Sequence, residues 1–250
     1  MITPRLYAMA IFRRTSLYLT SLALLSTALV VGAPLTAHAS TSNPTVASIL
    51  KAAKGAIVKQ NGVHVTVSTV SGKTDSSVVA DIGKTSGTET YVSGNESFTI
   101  TVTPTYAYLS GSQKGLTTLM GLTAAEQKKI GKQSMAMKKG TSYYTTFKSN
   151  LTSGTTFASL LPAAKGTTLL TTRDKKTNGY QLKWTAKATS SQPKTTTVMT
   201  FSSGNATLPI KDAVSTSTGK SETTFSKWGE KVSVKIPTST IPYAQVIPAS

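Results

Sequence analysis

Residues 45–70 dictate more of the architecture than any other stretch, because a helical pattern there runs directly into a strand pattern. Val46, Ile49, Leu50, Ala53, Ile57 and Val58 recur at three- and four-residue spacing and gather on one face of a helix. Lys51, Lys54 and Lys59 fall largely off that face. Asn61-Gly62 breaks the period, and Val63, Val65 and Val67 then alternate with His64, Thr66 and Ser68, the period of a strand with one buried face. Each apolar face needs cover, and the simplest solution lays the helix on the sheet it feeds.

Downstream, the strand pattern repeats. Val78, Ala80 and Ile82 alternate after a Ser71-Gly72-Lys73 turn; Thr88 to Val92 follows, then Ser97 to Thr103 with Phe98, Ile100 and Val102 on one side, and Tyr106 to Leu109. Short strands parted by glycine-bearing turns indicate an antiparallel meander. Between Gly111 and Lys139 the pattern turns helical: Leu116, Leu119, Met120 and Leu122 cluster. Thr123-Ala124-Ala125-Glu126 is a capping-box sequence, and Gly131 is expected to end its helix. Tyr143, Tyr144 and Phe147 read as strand, and Phe157 to Leu161 as a helical turn closed by Pro162. The last third reads as strands at 167–173, 180–188, 195–202, 207–214 and 221–227, with a closing one through Val232, Val234 and Ile236. Residues 238–250 read as a proline-containing tail with no core face.

The N-terminus stands apart from this pattern. Arg5, Arg13 and Arg14 precede an apolar run from Leu17 to Val31, and Ala37-His38-Ala39 follows, the order of a secretory signal peptide over residues 1–39 with cleavage expected before Ser40. The run is interrupted by Thr20, Ser21 and Ser26 and falls short of the roughly 20 apolar residues of a membrane span. Cleavage leaves 211 of the 250 residues, enough for one sizeable core over residues 40–237. With no cysteine, an exported chain holds together through that core rather than through disulfides, and carries no acyl-anchored cysteine. The expected location is therefore secreted or cell-envelope, without a lipid anchor, and the expected state a monomer.

Charge narrows the partners. The chain carries 27 basic and 9 acidic residues; without the three signal arginines 24 basic residues remain, a net +15. Arg173 is the only arginine among them. Bidentate reading of bases and phosphates favours arginine, so this lysine-dominated charge argues against specific nucleic-acid recognition. It leaves room for attraction to anionic envelope polymers or membrane headgroups, and equally for a plain solvated surface.

The catalytic inventory is poor. His64 is the one histidine beyond the signal segment, and the acids are scattered without a glycosidase pair or a metal-ligand spacing. Ser-x-x-Lys occurs at Ser48 to Lys51, Ser191 to Lys194 and Ser217 to Lys220, but in a serine- and lysine-rich chain with neither Ser-Asp-Asn nor Lys-Thr-Gly these are coincidences. No glycine-rich phosphate loop is present. No catalytic residue, metal site or cofactor is assigned, and the chain reads as a non-enzyme.

Taken in order, these elements resemble the LolA-like superfamily and, within it, the LppX/LprG-type envelope lipoproteins. The resemblance rests on an opening helix feeding Val63-His64-Val65, a run of hairpin strands, a mid-chain helical insert, Ser142-Tyr143-Tyr144, and Phe157-Ala158-Ser159-Leu160-Leu161-Pro162. Its best match is the terminal Phe225-Ser226-Lys227-Trp228-Gly229-Glu230-Lys231-Val232-Ser233-Val234-Lys235-Ile236-Pro237. The anchor cysteine of those lipoproteins is missing here. The resemblance implies an α+β, mostly β fold: a curved, incompletely closed antiparallel sheet, or half-barrel, with helices covering the concave face. It also implies an apolar cavity that holds a lipid or other apolar ligand. The expected lining is Ile49, Ala53 and Ile57 from the first helix, and Val63, Val65, Val67, Ile82, Phe98, Ile100 and Val102 from the meander. Leu116, Leu119, Met120, Leu160 and Leu161 would come from the helical inserts, and Leu182, Trp184, Met199 and Phe201 from the late strands. The alternative is the same sheet with a filled core, an envelope interaction or sensory protein whose basic surface binds anionic cell-wall polymers or a protein partner.

Overall fold

The computed structural model describes residues 44–152, 161–170, 179–189, 193–202 and 207–247. The signal segment, the Phe157 to Leu160 part of the helical turn and the turns at 174–178 and 203–205 lie outside them. Helix α1 (Val46–Ile57) leads into β1 (Gly62–Ser71), β2 (Thr74–Gly83), β3 (Gly87–Ser93), β4 (Glu96–Val102) and β5 (Tyr106–Gly111). Next come α2 (Gln113–Met120), α3 (Ala124–Ile130), β6 (Ser134–Lys138) and α4 (Ser142–Leu151). The chain continues through β7 (Thr167–Leu170), β8 (Tyr180–Ala186), β9 (Thr195–Phe201), β10 (Pro209–Ser215) and β11 (Gly219–Ser226) to β12 (Thr240–Pro242) and α5 (Tyr243–Val246).

All the described strands join one sheet in the order β12-β6-β5-β4-β3-β2-β1-β11-β10-β9-β8-β7. Its two edges, β12 and β7, do not pair with each other, so the sheet is open, as the half-barrel expectation required. Every pairing is antiparallel except β12 with β6. The register carries one face through the whole sheet. From β5 to β11 it runs through Leu109, Ile100, Glu89, Ala80, Val65 and Phe225. One row over, from β4 to β8, it runs through Phe98, Tyr91, Val78, Val67, Thr223, Asp212, Met199 and Leu182. The helices cover this inner face.

The expected capping box forms at α3, and a second one, which the sequence reading did not include, opens α1. The Thr45 hydroxyl accepts from the Ser48 amide at the head of α1, and Thr123 with Glu126 opens α3, which ends at the left-handed turn of Gly131. Ile49, Leu50, Ala53 and Ile57 are buried, but Val58 is the C-cap of α1 and 65 % exposed.

Five features depart from the sequence expectations, the first being the tail read as lacking a core face: within 238–247 it pairs as a strand with Ser134 to Ala136 and buries Val246 and Ile247, because two aliphatic side chains near its end gain by leaving water. The stretch at Ser142-Tyr143-Tyr144 is a helix, not a strand: Thr141 caps it, and Tyr144, Phe147 and Leu151 stack on one face at helical spacing. Threonines and tyrosines carry strand propensity there, and burial of that stripe over β2 to β6 overrides it. The Tyr144 hydroxyl donates to the Pro104 carbonyl at 2.7 Å and locks the helix to the turn before β5. Within the expected helical insert, Met135 and Met137 alternate and form β6. Helix α1 lies mainly on β8 and β9 rather than on the strand it feeds, since Ile49, Leu50 and Ala53 pack with Leu182, Met199 and Phe201. Lastly, 230–237 is not a strand.

That C-terminal stretch is a strap across the end of the sheet. The Gly229 amide donates to the Gly62 carbonyl at 2.9 Å, the Trp228 indole donates to the Pro209 carbonyl at 2.7 Å, and Val232 rests on Gly62 and Gly83. The Ser134 amide then donates to the Ser239 carbonyl, β12 pairs with β6, and Val246 and Ile247 enter the core.

Docking of α4 depends on one glycine. At Gly87 an added Cβ would stand 2.2 Å from the Leu151 carbonyl oxygen and 2.8 Å from that of Asp81. Gly87→Ala is therefore expected to push the end of α4 off β3 and destabilise the protein by about 1–3 kcal/mol in a denaturant titration. An unchanged midpoint would show that α4 docks without this close approach.

Candidate functional site

Among the described residues the inner wall holds three apolar clusters rather than one. Over β4, β5 and β6, Phe98, Ile100, Val102, Leu109, Met135 and Met137 pack with Leu116, Leu119 and Met120 of α2 and Tyr144, Phe147 and Leu151 of α4. In the middle, Ile57 packs with Val63, Val65, Ala80, Ile82 and Phe225. On the far side α1 meets β8 and β9. Partly buried Val67, Leu208 and Trp228 border the middle cluster, Val46, Leu169, Tyr180 and Trp184 border the third, and Leu161 touches both.

Every described residue of the expected lining belongs to, or packs against, one of these clusters. Phe98, Ile100, Val102, Leu116, Leu119 and Met120 are in the first; Ile57, Val63, Val65 and Ile82 are in the middle with Val67 beside them; Ile49, Ala53, Leu182, Met199 and Phe201 are in the third with Trp184 beside them. Leu161 joins the last two, and Leu160 lies outside the described residues. The sequence list therefore maps to one face, though not to one group.

Among the wall residues outside the expected lining, such as Leu109, Met135 and Phe225, two are buried acids. Glu89 faces inward between Ile100 and Ala80, and burial pushes its carboxyl up to about 7. Asp212 faces inward between Met199 and Thr223, is 5 % exposed, and is pushed up to about 7 for the same reason. Its Oδ1 is buried with no hydrogen-bond partner among the described residues. The signal was present: Asp212 occupies the same strand phase as buried Val214, where an apolar residue is the rule. Around Asp212 the inner face also carries the buried hydroxyl residues Thr197, Ser221 and Thr223.

Other polar residues lie elsewhere. His64 Nδ1 and Asp81 Oδ1 are 2.6 Å apart on the outer face, and Lys211 pairs with Glu222 at 2.7 Å, also outside. No set of three metal-ligating side chains comes together among the described residues. No helix among them is long and apolar enough to cross a membrane. An open groove of about 640 Å³ is lined largely by outer-face residues of β1, β2, β10 and β11, such as Thr66, Val79 and Glu222.

The chain is similar to several solved structures. LprF from Mycobacterium bovis aligns with a TM-score of 0.47 and 14 % identity over 77 % of this chain and 96 % of that one. The lipoprotein LppX from Mycobacterium tuberculosis aligns at 0.39 and 13 %, over 78 % of this chain and all of that one. The hypothetical protein CT021 from Chlamydia trachomatis aligns at 0.29 and 10 %, over 78 % and 96 %. No family model and no curated protein matches the sequence.

Proposed function

We propose that the protein is a non-enzymatic, extracytoplasmic binding or carrier protein for a lipid or other apolar ligand, held between the open sheet and its helices. The observation that carries this reading is the inner wall itself: one apolar face covered by α2 to α4 on one half and by α1 on the other, which among the described residues divides into three clusters bordered by partly buried Val67, Leu161, Leu169 and Trp184, the seams of this reading. An acyl chain entering such a seam gains about 0.8 kcal/mol per methylene removed from water. The absence of cysteine supports release rather than acyl anchoring, following export on the N-terminal segment.

Protein purified from its own host is expected to carry stoichiometric lipid in native mass spectrometry and in solvent extracts. Lipid-free protein whose seams admit no apolar probe would overturn the proposal. It would fit instead the second reading, supported by the chain's net charge of +18, in which the lysine-rich outside meets an anionic envelope polymer.

A further inference from the structure

The polarity of the wall is opposite to that of the surface. Although the chain is strongly basic, the charged residues at described inner-face strand positions are all acids, Glu89, Asp212 and Glu96, the last paired with Lys114 of α2 at 3.0 Å, while Lys183, Lys211 and Lys220 occupy outer-face positions on β8, β10 and β11. Strand β10 contributes no residue to any of the three apolar clusters, although Val214 is buried. It therefore runs along the boundary between the cluster of β1, β2 and β11 and the cluster under α1, and at that boundary stands Asp212. A buried carboxylate oxygen with nothing to accept from is costly, and a strand position in apolar phase would ordinarily hold valine or isoleucine. Protonation lowers that cost, and a donor that reaches the oxygen removes it.

Resting on the carrier reading, we propose that Asp212, flanked by Thr223 and Thr197, is the hydrogen-bond anchor for a free hydroxyl group of the bound lipid. The site then takes neutral, hydroxyl-bearing lipids such as a diacylglycerol, in preference to lipids whose corresponding group is capped or anionic. A hydroxyl donates to the carboxylate and accepts from a threonine hydroxyl, so one group answers both neighbours. A phosphate or fatty-acid carboxylate would place a second negative charge beside the ionised form at low dielectric, with no lysine, arginine or histidine at a described inner-face position of β8 to β11 to offset it. Thr223 is paired directly across from Asp212, and Thr197 lies diagonal to it on β9; both are buried. The nearest acid on the same face, Glu89, is separated from β10 by three strands. With the carboxyl pushed up to about 7, protonated and ionised forms coexist at neutral pH, and both can hold a hydroxyl.

The test uses delipidated mature protein and three probes: dioleoylglycerol, its 3-acetyl ester and dioleoyl phosphatidic acid. Binding is followed by the fluorescence of Trp184 and Trp228, which border the clusters on either side of β10. Wild type is expected to bind dioleoylglycerol about tenfold or more tightly than either other probe, the worth of one hydrogen bond to a charged or polar acceptor. Asp212→Leu should hold the diacylglycerol and its ester within about twofold of each other, and Asp212→Asn should recover part of the preference. Lipid binding by wild type without preference, or a preference that survives in Asp212→Leu, overturns the anchor. Folded protein that binds none of the three overturns the carrier reading itself.

Discussion

Asp212→Asn is expected to flatten the pH dependence of stability between about pH 4 and pH 8. In the unfolded chain this carboxyl ionises near 4, whereas burial among Met199, Thr223 and Val214 pushes it up to about 7 in the native protein. Below the unfolded value both states are protonated and the group costs nothing. Between the two values the unfolded chain releases its proton while the native one holds it, so native stability falls as pH rises; above about 7 the loss is complete. Three pK units correspond to about 4 kcal/mol. The variant should therefore gain on wild type as pH rises, from no pH-linked difference near pH 4 to about 4 kcal/mol at pH 8, read from denaturant titrations across the range. The change of the difference with pH is the signal, because the buried amide of asparagine brings its own constant cost. Parallel profiles for the two proteins would show that Asp212 finds water or a partner when ionised.

Ending the chain at Pro237 is expected to cost more than any surface change. The truncation removes β12, strips the edge from β6, and takes away Val246 and Ile247, which are 0 % and 6 % exposed. It uncovers Met135 and Ile130 as well. Burial of an aliphatic side chain is worth about 1.5–3 kcal/mol, so the lost pair alone amounts to roughly 3–6 kcal/mol. For a domain of this size each kcal/mol lowers the melting temperature by about 2–4 °C, which predicts a fall of about 10 °C or more by calorimetry. A truncated protein melting within two degrees of the full chain would show that α5 rests on the core without supporting it.

The strap and α4 explain where the sequence misled. Val232, Val234 and Ile236 alternate as a strand would, but in 230–237 the chain has no neighbouring strand edge to pair with and spans the sheet's end instead. In 142–151 the local preference of Thr, Tyr and Phe pointed to strand, while the spacing of Tyr144, Phe147 and Leu151 pointed to helix; packing chose the spacing. Where pattern and propensity agreed, as in β1 to β5 and in the Thr123 to Glu126 capping box, the elements appear as expected.

The same division holds for the wall. Alternation identified inward side chains such as Val63, Val65, Ile82, Phe98 and Ile100, because strand phase is a local property with a period of two, while Leu182, Met199 and Phe201 entered the expected lining through the family resemblance. The open, one-sheet, helix-covered architecture was also legible, since a meander with one apolar face has few ways to bury it. Which strands share a cluster, that α1 crosses to β8 and β9, and that Asp212 is stranded between two apolar groups were decided only by tertiary structure. These depend on contacts between residues more than a hundred positions apart, such as Ala53 with Met199, and no local period encodes them.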